Sequence, residues 1–219
     1  MTAPQARLLP LGEEAWIVTL GDRIEAGLHE RVVAVAGLIE DAALPGVREI
    51  VPGYTTVTVA FDSARADAEE LRGALERLLA RAPAHLSPPS PRTIDIPVRY
   101  DGPDLDEVAE RTGLSRDTVV ERHAARLYRV YLLGFAPGFA YLGELDPSLE
   151  LPRRPSPRTR VPPGSVAIAG LQTAVYPLAT PGGWHLIGTT SRRLFDPAAD
   201  PPALLRVGDQ VRFFPTDPR

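Results

Sequence analysis

Proline separates this sequence into two kinds of chain. Only 5 of its 24 prolines fall in residues 1–86, whereas 14 lie beyond residue 136. Proline has no backbone N–H and fixes φ, so it interrupts helices and central strands. The first stretch is therefore free to carry long regular elements, and the last must be built from short runs between turns. APAHLSPPSPRT (82–93) is too proline-dense for helix or central strand and reads as a linker. Charge follows the same division: residues 1–86 hold 13 acids and 8 arginines, the remainder 15 and 16.

The first stretch reads as strand, strand, helix, strand, strand, helix. Arg7–Leu11 and Ala15–Leu20 are short apolar runs. Asp22 and Glu25 form a capping-box pattern ahead of Ile24, Leu28, Val32, Val35 and Leu38/Ile39 at helical spacing, with Pro45-Gly46 as the stop. Val47–Val51 and Thr55–Phe61 read as a hairpin, and Asp67 with Glu70 opens a second helix that turns Leu71, Leu75, Leu78 and Leu79 inward. After the linker come a strand at Thr93–Val98 and two short helices within 104–126, joined at Gly113. RVYLLGF, GSVAIAG, TAVYPLA, WHLIGTT and VRFFP then alternate with Pro/Gly turns, the rhythm of an all-β barrel or sandwich. The expected class is α+β: a two-layer α/β domain over 1–86 and a β domain over 93–219.

Composition removes several chemistries. The 219 residues carry a net charge of −4, which gives no global attraction to nucleic acid or anionic membranes. There is no Cys, Lys or Asn, so thiolate catalysis, Schiff-base chemistry and a P-loop lysine are all excluded. The charge-free run 161–191 is broken repeatedly by proline and glycine, which no membrane helix would carry. MTAPQARLLPLGEEAW lacks the charged start and apolar run of a signal peptide. A cytoplasmic protein is expected.

Four motifs carry possible chemistry. LDEVAERTGLSRDTVVERH has helix-turn-helix spacing, but its second helix mixes Arg116 and Arg122 with Asp117 and Glu121, so a helix pair packed on the β domain is favoured over DNA binding. RRPSPRTR (153–160) is either a solvated loop or an anion clamp in which Arg158 and Arg160 line a cleft. GFAPGFAYLGELDP pairs Phe135, Phe139 and Tyr141 with glycines around Pro137, as an aromatic-packed loop or as the wall of a small-molecule pocket; TPGGW (180–184) is a second glycine-rich turn. Of the histidines, His29 and His85 read as surface residues, while His123 and His185 sit beside β runs; no HxH or HxxxH pair exists, and no metal site is expected.

The order of these motifs is distinctive. H…YRVYLLGFAPGFAYLGELDP, LPRRPSPRTRVPPGSVAIAGLQTAVYP, TPGGWHLIGTT and LFDP…LLRVGDQVRFFP, together with PGYTTVTVAFD (52–62), resemble the allophanate hydrolase subunit 1 family, to which the B-type subunits of bacterial 5-oxoprolinase and KipI belong. The resemblance implies a cyclophilin-like β-barrel for the C-terminal domain. It also implies one subunit of an ATP-dependent cyclic-amide hydrolase, inactive alone. Such a chain works with homologues of the enzyme's A-type and C-type subunits, the latter from the allophanate hydrolase subunit 2 family, to open the lactam of 5-oxoproline to glutamate. ATP with Mg would belong to the complex and not to this chain. A KipI-like inhibitor of a sensor histidine kinase is the alternative. Carried over by position, the implied cleft for a small anionic amide comprises Tyr131, Phe135, Pro137, Gly138, Phe139, Tyr141, Arg158, Arg160, Gln172, Tyr176 and Trp184, with His123 as the proton shuttle. The chain departs from the family's PGFPYLGG at Ala140 and Glu144.

Overall fold

The computed structural model describes residues 6–82 and 88–216, and the chain divides into two units, Met1–Ser90 and Pro91–Arg219. The middle of the proline-rich stretch, including His85, lies outside the described residues.

In the first unit, β1 (Arg7–Pro10), β2 (Ala15–Thr19), β3 (Val47–Pro52) and β4 (Thr56–Phe61) form an antiparallel sheet in the order β1-β2-β4-β3. Helices α1 (Ala26–Asp41) and α2 (Ala68–Arg81) complete it. Strand alternation sends Trp16, Val18, Val57, Val59 and Phe61 to one face, where they meet Val32, Val35, Ile39, Leu71 and Leu75. Asp67 caps α2 by accepting the Glu69 and Glu70 amides. The expected capping box on α1 does not form: the helix starts one turn later, at Ala26, its N-cap Glu25 makes no side-chain cap bond, and Ile24 is left exposed. His29, expected at the surface, is fully buried, because it lies one turn before Val32 on the same inward face of α1.

The second unit holds β5 (Thr93–Val98), α3 (Leu105–Thr112), α4 (Arg116–Ala124), β6 (Leu127–Leu133), β7 (Ala140–Gly143), a 3-10 turn (Pro147–Leu149), β8 (Arg158–Val161), β9 (Ser165–Ala169), β10 (Gln172–Val175), β11 (Thr180–Gly182), β12 (His185–Thr189) and β13 (Gln210–Pro215). Seven strands run in the order β12-β9-β10-β7-β6-β13-β5, antiparallel throughout except for β13 beside β5. Arg99, just past β5, exchanges two backbone hydrogen bonds of 2.8 Å with Thr189 at the end of β12, so the sheet nearly closes into a barrel. Strands β8 and β11 pair separately, as a two-stranded sheet.

Inside the barrel, Ile96, Val98, Tyr128, Val130, Leu142, Val166, Ile168, Val175, Val211 and Phe213 form one core. Helices α3 and α4 plug it with Leu105, Val108 and Val119. Gly113 joins them in the left-handed region at φ 70°, and the exposed Arg116 pairs with Asp106. The apolar face of the helix pair is thus committed to the barrel.

Candidate substrate-binding site

Strand β9 shows how the site arises. Val166 and Ile168 face the barrel interior, and Ala167 and Ala169 face outward. Alanines on the outer face of the wall, with Ala174 of β10, leave room for a layer of rings. Phe139 is its centre: Tyr141, Tyr176, Trp184 and Phe135 stand edge-on to it with centroids 5.0–5.9 Å away. Val161 of β8 packs into this second core. Phe139, Tyr176 and Trp184 are buried, Tyr141 is half-buried at the margin, and Phe135 is 61% exposed. Tyr176 sits beneath β11, where a Cβ on Gly182 would lie 2.3 Å from its hydroxyl.

The loop before β7 is closed upon itself: the Gly134 amide donates to the Phe139 carbonyl and the Phe139 amide to the Ala136 carbonyl. Gly138, at φ 76°, backs onto Phe195, which a Cβ would approach to 2.7 Å. Pro137 is exposed beside it. Gln172 shares the outward face of β10 with Ala174 and Tyr176 by strand alternation. Tyr131 is buried next to Gly143, and its hydroxyl donates to Glu144 at 3.1 Å.

The arginines behave otherwise than their sequence spacing implies. Arg158 donates to Asp104 at 2.6 Å, and Arg154 donates to Asp104 at 3.0 Å and to Glu107 at 2.8 Å. Asp104 also accepts the Leu186 amide at 2.7 Å, tying the start of α3 to β12. Arg158 thus shares one buried carboxylate with Arg154, and its Nη1 is buried without a partner. Arg160 lies on the face of β8 opposite Val161 and is exposed. The guanidinium carbon that does reach the aromatic layer is that of Arg153, 6.0 Å from the Trp184 ring centroid. Nothing local distinguishes this first arginine of the run from the second, so the sequence alone does not single it out.

His123 is not among the rings of this layer. It is fully buried on the barrel side, stacked on Phe213 and beside Tyr128. Thr173 donates to the Ala167 carbonyl at 3.0 Å, so its oxygen accepts the His123 Nε2–H at 2.9 Å, and Nδ1 is left to accept from the Tyr100 hydroxyl at 2.7 Å. Burial lowers its pKa to about 3 and raises that of Tyr100. Both groups are neutral across the physiological range, and the residue that the resemblance casts as a proton shuttle lies buried on the barrel side, apart from the aromatic layer. His185 is also buried, donating through Nε2 to the Pro152 carbonyl.

Among the described residues no three His, Asp or Glu side chains converge to hold a metal ion. Asp104 and Glu107 come closest as carboxylate donors, and both are taken by arginines. With no lysine and no glycine-rich phosphate loop, a P-loop type of Mg–ATP site is excluded. A hollow of about 440 Å³ lies in the first unit between Leu44–Pro45 and α2, lined by Asp67, Glu69 and Glu70 together with Arg65 and Arg77, a mixed lining that gives no net attraction to an anion.

The barrel-like sheet, its two-helix plug and the aromatic layer outside its wall together define a carboxyltransferase-type domain by family match. The chain belongs to the family described as carboxyltransferase domain, subdomain C and D, whose model matches residues 6–205. It is 47% identical over 214 residues to the 5-oxoprolinase B subunit of Escherichia coli O157:H7, covering 96% of both chains. With the 5-oxoprolinase B subunit of Bacillus subtilis (strain 168) it shares 42% identity over 216 residues, 93% of this chain and 90% of that one. The crystal structure of TTHA0988 superposes with a TM-score of 0.84 at 42% identity, over 94% of this chain and 40% of that longer one. These relatives favour the enzyme-subunit reading over the kinase inhibitor. No helix among the described residues is long and apolar enough to cross a membrane.

Proposed function

We propose that this chain is the B subunit of a 5-oxoprolinase, and that with homologues of the enzyme's A-type and C-type subunits it opens the lactam of 5-oxoproline to glutamate at the expense of ATP. The observation that carries the reading is end-to-end identity of 47% with a relative of that name. The aromatic layer supports it: a five-membered lactam presents two flat apolar faces, which aromatic edges and planes accommodate. Gln172 and the margin formed by Tyr141 and Trp184 bind the ring. Because the chain has no P-loop, nucleotide handling is assigned to the complex. His123 holds the barrel wall under the site as a neutral brace.

The test is assembly and turnover. This chain, tagged and co-expressed with the A-type and C-type homologues, is expected to co-purify with them and to release glutamate from 5-oxoproline only when ATP is present. A complex that forms and yields no ATP-dependent glutamate, or a chain that recovers neither partner, overturns the reading.

A further inference from the structure

We propose that Arg153 is the carboxylate-binding residue of this chain, gripping the acid group of the lactam while the ring lies along the Tyr141–Trp184 margin. The inference rests on the function proposed above and names the cation that gives it selectivity for an acid. Four arginines occupy the run 153–160, and the structure sorts them by what they already hold. Arg154 and Arg158 are bound to Asp104 and Glu107, and Arg160 sits on the face of β8 that turns away from the rings. Arg153 makes no ion pair with any described residue, is exposed, and faces Trp184 at 6.0 Å.

That placement suits an anion. A guanidinium resting on an indole by its face keeps its in-plane N–H groups directed outward, in the fork that matches both oxygens of a carboxylate. The indole also shields it from water on one side, which strengthens the pairing. The Tyr176 phenol feels the charges of both Arg153 and Arg158 and the Tyr141 phenol, so these polar tips share one locality at the edge of the apolar layer, where Arg158 is held by Asp104 and Arg153 pairs with no described carboxylate. A cation without an ion pair, polar phenol tips and an apolar floor are what a small, flat, singly charged acid requires. A neutral lactam would use the floor alone.

The experiment compares the unmodified complex with R153A and R153K complexes, using two probes: 5-oxoproline and 2-pyrrolidinone, the same lactam without its carboxylate. Binding is read by calorimetry and turnover by glutamate release. R153A is expected to raise KM and Kd for 5-oxoproline at least about tenfold, roughly 1.4 kcal/mol, with kcat changed far less. Calorimetric binding of 2-pyrrolidinone should not change, and R153K should recover part of the loss. Unchanged 5-oxoproline binding in R153A overturns the proposal, as does an equal loss for both probes, which would mean a merely structural role. If the unmodified complex binds 5-oxoproline but does not turn it over, the function reading fails while the binding comparison still decides Arg153. Absence of 5-oxoproline binding in the unmodified complex overturns both.

Discussion

Asp104 and Arg158 lie 54 residues apart in sequence and meet at 2.6 Å, the carboxylate almost fully buried and the guanidinium about a quarter exposed. A second arginine and a β12 amide share the same carboxylate. Removing it leaves Arg158 without a carboxylate, Arg154 with Glu107 alone and one N–H without its acceptor in a site with little access to water, where Arg154 Nε and Arg158 Nη1 already lack partners. Asp104→Ala is expected to cost about 3–5 kcal/mol of unfolding free energy in denaturant titration, with Asp104→Asn costing less because it still accepts hydrogen bonds. A loss below about 1 kcal/mol would show the cluster to be a surface ion pair of the ordinary weak kind.

His123 predicts a pH dependence of stability. The folded chain keeps its ring neutral down to about pH 3, whereas the unfolded chain takes up a proton below about 6.5. Between those values the unfolded state binds more protons, so stability is fully present above pH 6.5 and declines as pH falls toward 3. This residue contributes at most about 1.4 kcal/mol per pH unit to the slope. Chemical unfolding at pH 4 to 6.5 should show a shallower dependence in His123→Gln than in the parent; identical slopes would contradict the buried neutral ring.

Gly102 lies where the approach to α3 crosses β12, and a Cβ there would come within 2.3 Å of the Leu186 carbonyl oxygen and 2.4 Å of the Ile187 carbonyl carbon. Those neighbours are backbone and have little freedom to yield. Gly102→Ala should therefore destabilise by about 1–3 kcal/mol, readable as a lowered Tm, and loosen the seam that the Asp104 and Gly102 amides make with Leu186 and Ile187.

Phe135 and Phe139 look equivalent in the sequence and should respond differently. Phe139 is 2% exposed at the centre of the aromatic layer, and Phe139→Ala is expected to cost about 3–5 kcal/mol. Phe135 is 61% exposed at φ 70°, a conformation that costs a side-chain-bearing residue about 1–2 kcal/mol. Phe135→Gly relieves that strain and should leave stability within about 1 kcal/mol of the parent. Thermal melts of both variants make the comparison.

Local pattern was enough to locate most regular elements, because alternation and helical spacing are properties of neighbouring residues. Strands β7, β8 and β11 escaped, being three or four residues long and containing glycine, arginine or proline where a strand signal needs β-branched residues. The rings of the site were legible as a motif. What Arg158 and His123 do was not, because Asp104 and Thr173, which decide it, arrive from about 50 positions away. Arg153 gains its distinction only from Trp184, 31 positions on, once β12 is in place. Charge matching and burial are settled by tertiary contacts, and a run of arginines does not reveal which of them is already satisfied.

A single ribbon of backbone, β9, serves as floor to the rings on one side and as ceiling to the barrel core on the other, with methyl groups the bulkiest things it shows the rings. Side chains on the outer side such as Tyr141 and Arg153 can therefore be exchanged without reshaping the interior. Enlarging Ala167 or Ala169 would instead push on both compartments at once.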